Sequence, residues 1–150
     1  MPGAEARGSI AVLDASVAVR WVVQEHGSEE AAALLTRPIG WVAPRLMLTE
    51  VAAALRRKAE AGEMPGEVAL QALGALVEAI ADGTIRVTDD EEFISAALAL
   101  ALTLGHKVPD CLYLAVAERE GCALATADQR LELLARQRGV PTHLVPSGGL

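Results

Sequence analysis

The chain has 150 residues, 52% of them hydrophobic and 22% charged, with a formal net charge of -7. That is enough apolar material for one globular domain, taken here as residues 1–150, and at this length a core forms without disulfide staples. The balance of 13 Lys and Arg against 20 Asp and Glu excludes broad electrostatic binding to phosphate backbones, so any nucleic-acid contact has to be local or assisted by a metal.

Cys111 and Cys122 show neither CxxC spacing nor a nearby His pair, which argues against zinc and suits a reducing cytoplasm. No apolar run approaches the ~18 residues of a membrane span, and residues 1–9 lack the apolar core of a signal peptide, so a soluble cytoplasmic protein is expected.

Residues 1–9 hold Gly, Ala and charge without periodicity and read as a flexible lead-in. Residues 10–13 are a short apolar run ending at Asp14, the pattern of a buried parallel strand that turns into a helix over 17–23. Glu29 and Glu30 suit the first turn of a second helix that continues through 31–35 and stops before Pro38. A strand over 39–43 follows, and Pro44 fits the first position of a long helix over 45–61 that Gly62 stops. Pro65 and Gly66 open another helix, with Leu70, Leu73, Val77 and Ile80 on one stripe, which ends near Gly83. Residues 85–87 are a weak third strand. Asp89–Glu92 makes an acidic, solvated start to a helix whose apolar positions span 93–104. A helix over 110–120, a strand over 122–125, a helix over 127–138 and a strand over 142–145 complete the chain. Helices alternating with short unpatterned apolar strands predict an α/β, three-layer domain with a central parallel sheet of about five strands.

In such a sheet the strand C-termini and helix N-termini share the edge where ligands bind. Asp14, Glu50, Asp110 and Asp128 all fall on that edge. Each has a bland explanation too. Asp14, Ser16 or Asp110 is an ordinary helix-cap candidate, and Thr126 with Gln129 fits a capping box with Asp128 as a favourable first-turn charge. Glu50 resists that account best, because Leu46, Met47, Ala53 and Ala54 share its helix face, and a carboxylate among apolar neighbours needs a partner or a metal. Together, four acids on one edge repel unless cations neutralise them, and an all-oxygen set suits Mg²⁺ or Mn²⁺. A hard divalent ion activates water and steadies charge on a phosphodiester, which points to nuclease chemistry.

The segments VLDASVAVRW, LTEVAAALRR, PDCLYLAVAEREG and LATADQRL resemble, in order and spacing, the PIN-domain nucleases, especially VapC-type toxins of bacterial toxin-antitoxin pairs. The likeness runs from Ile10 to Val145. It implies an acidic pocket for Mg²⁺ or Mn²⁺, endoribonuclease activity, a VapB-like antitoxin partner and a homodimer. By the same resemblance the catalytic and metal-binding residues are Asp14, Glu50, Asp110 and Asp128, with Ser16 and Thr126 as polar helpers. A PIN nuclease of RNA processing outside a toxin pair is the alternative. Phosphoryl transfer through an aspartate is disfavoured, since Ser16 stands where a second Asp would be needed and no Lys follows the final strand. A binding-only scaffold is disfavoured by the four intact acids.

The remaining candidates read as structural. His26, His106 and His143 form no ligand spacing and are expected on the surface. Arg56, Arg57 and Lys58 favour the C-terminal dipole of their helix over RNA guidance. Arg20 and Arg130 are as readily surface pairs as phosphate contacts. Trp21, Trp41, Phe93 and Tyr113 are too few to stack bases and belong to core or interface.

Overall fold

The structure, a computed structural model, describes residues 9–148. Its elements in chain order are β1 (Ser9–Leu13), α1 (Ala15–Val22), α2 (Ser28–Leu35), β2 (Ile39–Pro44), α3 (Leu46–Glu60), α4 (Gly66–Ala81), β3 (Ile85–Thr88), a 3₁₀ turn (Asp90–Glu92), α5 (Ile94–Leu104), α6 (Val108–Glu120), β4 (Ala123–Thr126), α7 (Gln129–Gln137) and β5 (Thr142–Leu144). The expected lead-in over residues 1–8 lies outside the described residues. Ser9 is not part of it: Ser9 pairs with Ile39 and its N–H donates to the Pro38 carbonyl at 3.2 Å.

All strand pairs are parallel, and the sheet order is β3-β2-β1-β4-β5. The central strands are buried on both faces, with Val12, Leu13, Val42, Ala43, Leu124 and Ala125 at 0% exposure, which is why their sequences are continuous apolar runs rather than alternating ones. Connections from β1 to β3 move one way along the sheet and those from β3 to β5 the other. Right-handed crossovers therefore place α1 to α4 on one face and α5 to α7 on the opposite face. The direction reverses between β1 and β4, and that switch point is where an open α/β sheet leaves a crevice.

Pro44, the acidic run and the start of α6 differ from the sequence expectation, each for a local reason. Pro44 ends β2, paired with Thr88, instead of opening α3; a proline is tolerated at a strand end, where one missing N–H costs little. The free N-terminus of α3 is served from elsewhere, because Asp90 Oδ1 accepts the Leu46 N–H at 3.4 Å and Arg45 pairs with Asp89 at 3.1 Å. The acidic run is thus a brace for α3 and not merely a solvated start to α5. α6 begins at Val108, since Lys107 holds the extended cap conformation and Pro109 fits the first turn. From Cys111 to Ala117 every residue of α6 is buried, so this helix is covered all round.

Candidate active site

Asp14 leaves the end of β1 with its backbone N–H bound to the Ala125 carbonyl of β4 at 3.1 Å, so its position is set by the strand pairing itself. It occupies the N-cap position of α1, yet its side chain makes no cap bond. Instead Ser16 Oγ and Thr126 Oγ1 both donate to Asp14 Oδ2, at 2.6 and 2.7 Å. The same two hydroxyls accept the N–H groups of Ala127 at 2.8 Å and Asp128 at 3.0 Å. They bind the loop after β4 to the loop after β1. Asp14 is 6% exposed, and burial pushes its carboxyl up to about 6, against the two hydroxyl bonds and with help from the negative charge of Glu50 and Asp110.

Asp128 is the N-cap of α7. Its Oδ1 accepts the N–H groups of Arg130 at 2.8 Å and Leu131 at 3.3 Å. The capping box expected from Thr126 and Gln129 is therefore not formed: Thr126, fully buried, turns to Asp14, and Asp128 itself is the cap. Glu50 lies on the second turn of α3. Tyr113 Oη donates to Glu50 Oε1 at 2.5 Å and accepts the Ala15 N–H at 3.3 Å, so one hydroxyl ties α3 and α6 to the start of α1. Burial raises the Glu50 carboxyl, the Tyr113 bond lowers it, and Asp110 raises it further. Between two carboxylates and out of water, the Tyr113 hydroxyl is held far above its ordinary range. Asp110, in the first turn of α6 and not a cap, has Oδ2 bound to His106 Nε2 at 2.8 Å. A carboxylate only accepts, so the imidazole carries its proton on that nitrogen.

All four acids, with Ser16, line one cavity of about 260 Å³ at the β1/β4 switch point. Each is anchored through a single oxygen: Asp14 and Asp110 through Oδ2, Glu50 through Oε1 and Asp128 through Oδ1. Among the described residues, the second oxygen of each has no protein donor. That pattern fits a hard divalent cation, which takes oxygen ligands and, for Mg²⁺, keeps several waters while using only one or two carboxylates directly. Among the described residues no group of three or more His, Cys, Asp or Glu side chains is placed so that it could hold a metal ion as it stands.

Several neighbours of the acids escape a motif search. Tyr113 hides in an apolar run, although it sits three residues after Asp110. His106 is not an ordinary surface histidine; its side chain is 18% exposed and, from the loop just before α6, turns to Asp110 in the first turn of that helix. Arg57 and Lys107 also line the cavity, and Arg57 follows Glu50 by two helical turns. The basic block at the end of α3 thus divides. Arg56 pairs with Glu60 at 2.9 Å, Lys58 pairs with Glu25 and lies 3.8 Å from Glu63, and only Arg57 reaches the acids. Arg20 is a brace, donating to the carbonyls of Ser16 at 2.6 Å and His26 at 2.8 Å and pairing with Glu25 at 3.2 Å. Trp21 and Trp41 pack edge to face at 5.0 Å, and Phe93 is buried.

Residues 11–137 match the family described as PIN domain. A comparison with curated protein sequences found no match. Among solved structures, a protein of Pyrobaculum aerophilum is similar with TM-score 0.66 at 22% identity, over 91% of this chain and 84% of its own. A VapC toxin of Mycobacterium tuberculosis that cleaves the sarcin-ricin loop gives TM-score 0.67 at 16% identity, over 84% and 95%. A VapBC complex of Rickettsia felis bound to promoter DNA gives 0.60 at 12% identity, over 91% and 98%. At these identities the likeness establishes the fold.

Proposed function

We propose, from the premise that this chain belongs to the PIN-domain family, that it is an Mg²⁺- or Mn²⁺-dependent endoribonuclease and the toxic member of a VapBC-type toxin-antitoxin pair. The observation that carries the reading is the cavity itself, where four carboxylates from four segments each keep one oxygen free. Asp14, Glu50, Asp110 and Asp128 are the residues that would hold the ion. Bound there, it supplies a Lewis acid for the phosphodiester and an activated water. The protein's part is orientation: Ser16 and Thr126 fix Asp14, Tyr113 fixes Glu50, His106 fixes Asp110 and the α7 backbone fixes Asp128. Hydrogen bonds to the oxygen that does not face the cavity keep the other one aimed into it.

An antitoxin partner is supported by an apolar groove of about 340 Å³ between α3 and α4, lined by Leu55, Ala59, Ala69, Leu70 and Leu73. Leu70 is 72% exposed. The groove uses the face of α3 opposite Glu50, so a segment seated there suits anchoring, and an Arg that competes with the ion through bidentate pairing has to come from a further part of the partner. The exposed Leu98 and Leu102 of α5 leave a separate apolar face that suits a homodimer. Among the described residues no helix is long and apolar enough to cross a membrane.

The test is inducible expression in a bacterial host with and without the gene beside this one, together with RNA cleavage by the purified protein in Mg²⁺, Mn²⁺ or EDTA. Growth arrest relieved by the neighbour, and cleavage only with metal, are expected. Cleavage without relief would move the protein to RNA processing outside a pair, and absence of both would overturn the reading.

A further inference from the structure

We infer that Arg57 and Lys107 are the RNA-backbone clamp of this site, contacting the phosphates on either side of the scissile bond. The inference rests on the nuclease reading and adds the residues that hold its substrate. The cavity of the four acids is lined by two cationic side chains, Arg57 from α3 and Lys107 from the N-cap of α6. Both line the same cavity as the acids and come from different elements.

Lining the cavity and availability together set them apart from Arg20, Arg56 and Lys58. Arg20 and Lys58 are held by Glu25, and Arg56 by Glu60. Arg57 has no ion-pair partner among the described residues, and Lys107 is 74% exposed with only a 4.0 Å contact to Asp110. An exposed Lys or Arg at that range gains little from its acid and is free to turn toward a phosphate. There is also room for a strand to continue. A second cavity of about 480 Å³ shares Ser16, Val19, Ala54 and Arg57 with the first, so Arg57 stands at the junction. In the second cavity the charges of Arg20 and Lys58 are matched by Glu25 and Glu63, leaving a trough without a strong field of either sign. A single strand crossing the cavity meets two cations beside the carboxylates, and phosphate contacts of this kind carry no sequence information.

The experiment measures binding of a short mixed-sequence RNA, fluorescein-labelled and made uncleavable by 2′-O-methyl riboses, to the whole protein in Ca²⁺ over a range of salt. Arg57→Gln and Lys107→Gln are each expected to weaken binding by roughly fivefold and to lower the log-log salt slope by about 0.7, the contribution of one phosphate on a single strand. Arg56→Gln, outside the cavity, should bind as the parent does. Mn²⁺ affinity, followed by calorimetry, should not fall in either variant, which separates a clamp from a metal-site support. Parent-like RNA affinity and slope in both variants would overturn the clamp while leaving the nuclease reading standing. Loss of antitoxin binding with RNA affinity intact would also overturn it, and failure of the parent protein itself to bind the RNA would overturn the nuclease reading along with it.

Discussion

Asp14 shows what a single buried carboxylate costs and why it is kept. It is 6% exposed, has two hydroxyl donors and, among the described residues, no cationic partner, and its carboxyl is pushed from an ordinary 3.8 up to about 6. In the metal-free protein the unfolded chain releases this proton first, so stability falls as pH rises from 3.8 to about 6 and stays reduced above that window. The loss amounts to about 3 kcal/mol. Asp14→Asn keeps an oxygen for Ser16 and Thr126 while removing the charge. In EDTA at neutral pH the variant should be more stable by up to about 3 kcal/mol, with the pH dependence between 3.8 and 6 flattened, and RNA cleavage should be abolished. Denaturant melts of both proteins across that range check it; an unfolded or less stable variant would mean that Asp14 serves the fold and not the site.

At the scale of elements, the site depends on helix starts that do more than one task. Asp128 caps α7 and also faces the cavity, and substitution can separate the two. Asp128→Ser should retain most of the cap, and Asp128→Ala should lose about 1 kcal/mol relative to it in thermal melts, while both lose cleavage. Equal stability would show that the cap bonds contribute nothing. Tyr113 links three elements, so Tyr113→Phe should cost about 1–3 kcal/mol for the orphaned Ala15 N–H and lower Mn²⁺ affinity by roughly 10- to 100-fold through a loosened Glu50. Element order and the four acids were legible in the sequence because buried parallel strands, glycine stops and first-turn acids each leave a local signature. The partners of the acids were not. Tyr113 is enclosed in a run where every neighbour is buried, and His106 meets Asp110 only because α6 opens at Val108. Arg56, Arg57 and Lys58 are adjacent in the chain but project about 100° apart, so one block serves three unrelated contacts.

Over the molecule as a whole, most of the positive charge among the described residues is already committed. Arg45, Arg56, Arg86 and Arg138 pair with Asp89, Glu60, Glu120 and Glu118, and Arg20 and Lys58 share Glu25. Against a formal charge of -7, the cavity repels phosphate until divalent cations enter it. A bound ion should therefore act on both stability and substrate. At an ion concentration a hundred times the dissociation constant the fold gains about 2.7 kcal/mol, equivalent to a Tm rise of roughly 5–10 °C for a chain of this size, and Asp14→Asn should lose that rise. Uncleavable RNA should bind weakly in EDTA and markedly better in Ca²⁺, an oxygen-seeking ion that fills such sites. Because few cations are free to neutralise phosphates, the affinity should fall only gently with salt. Fluorescence titrations in EDTA and Ca²⁺ at several salt concentrations decide the matter: tight binding in EDTA with a steep slope would mean that a basic surface away from the acids holds the RNA, and the metal would then serve the chemistry alone.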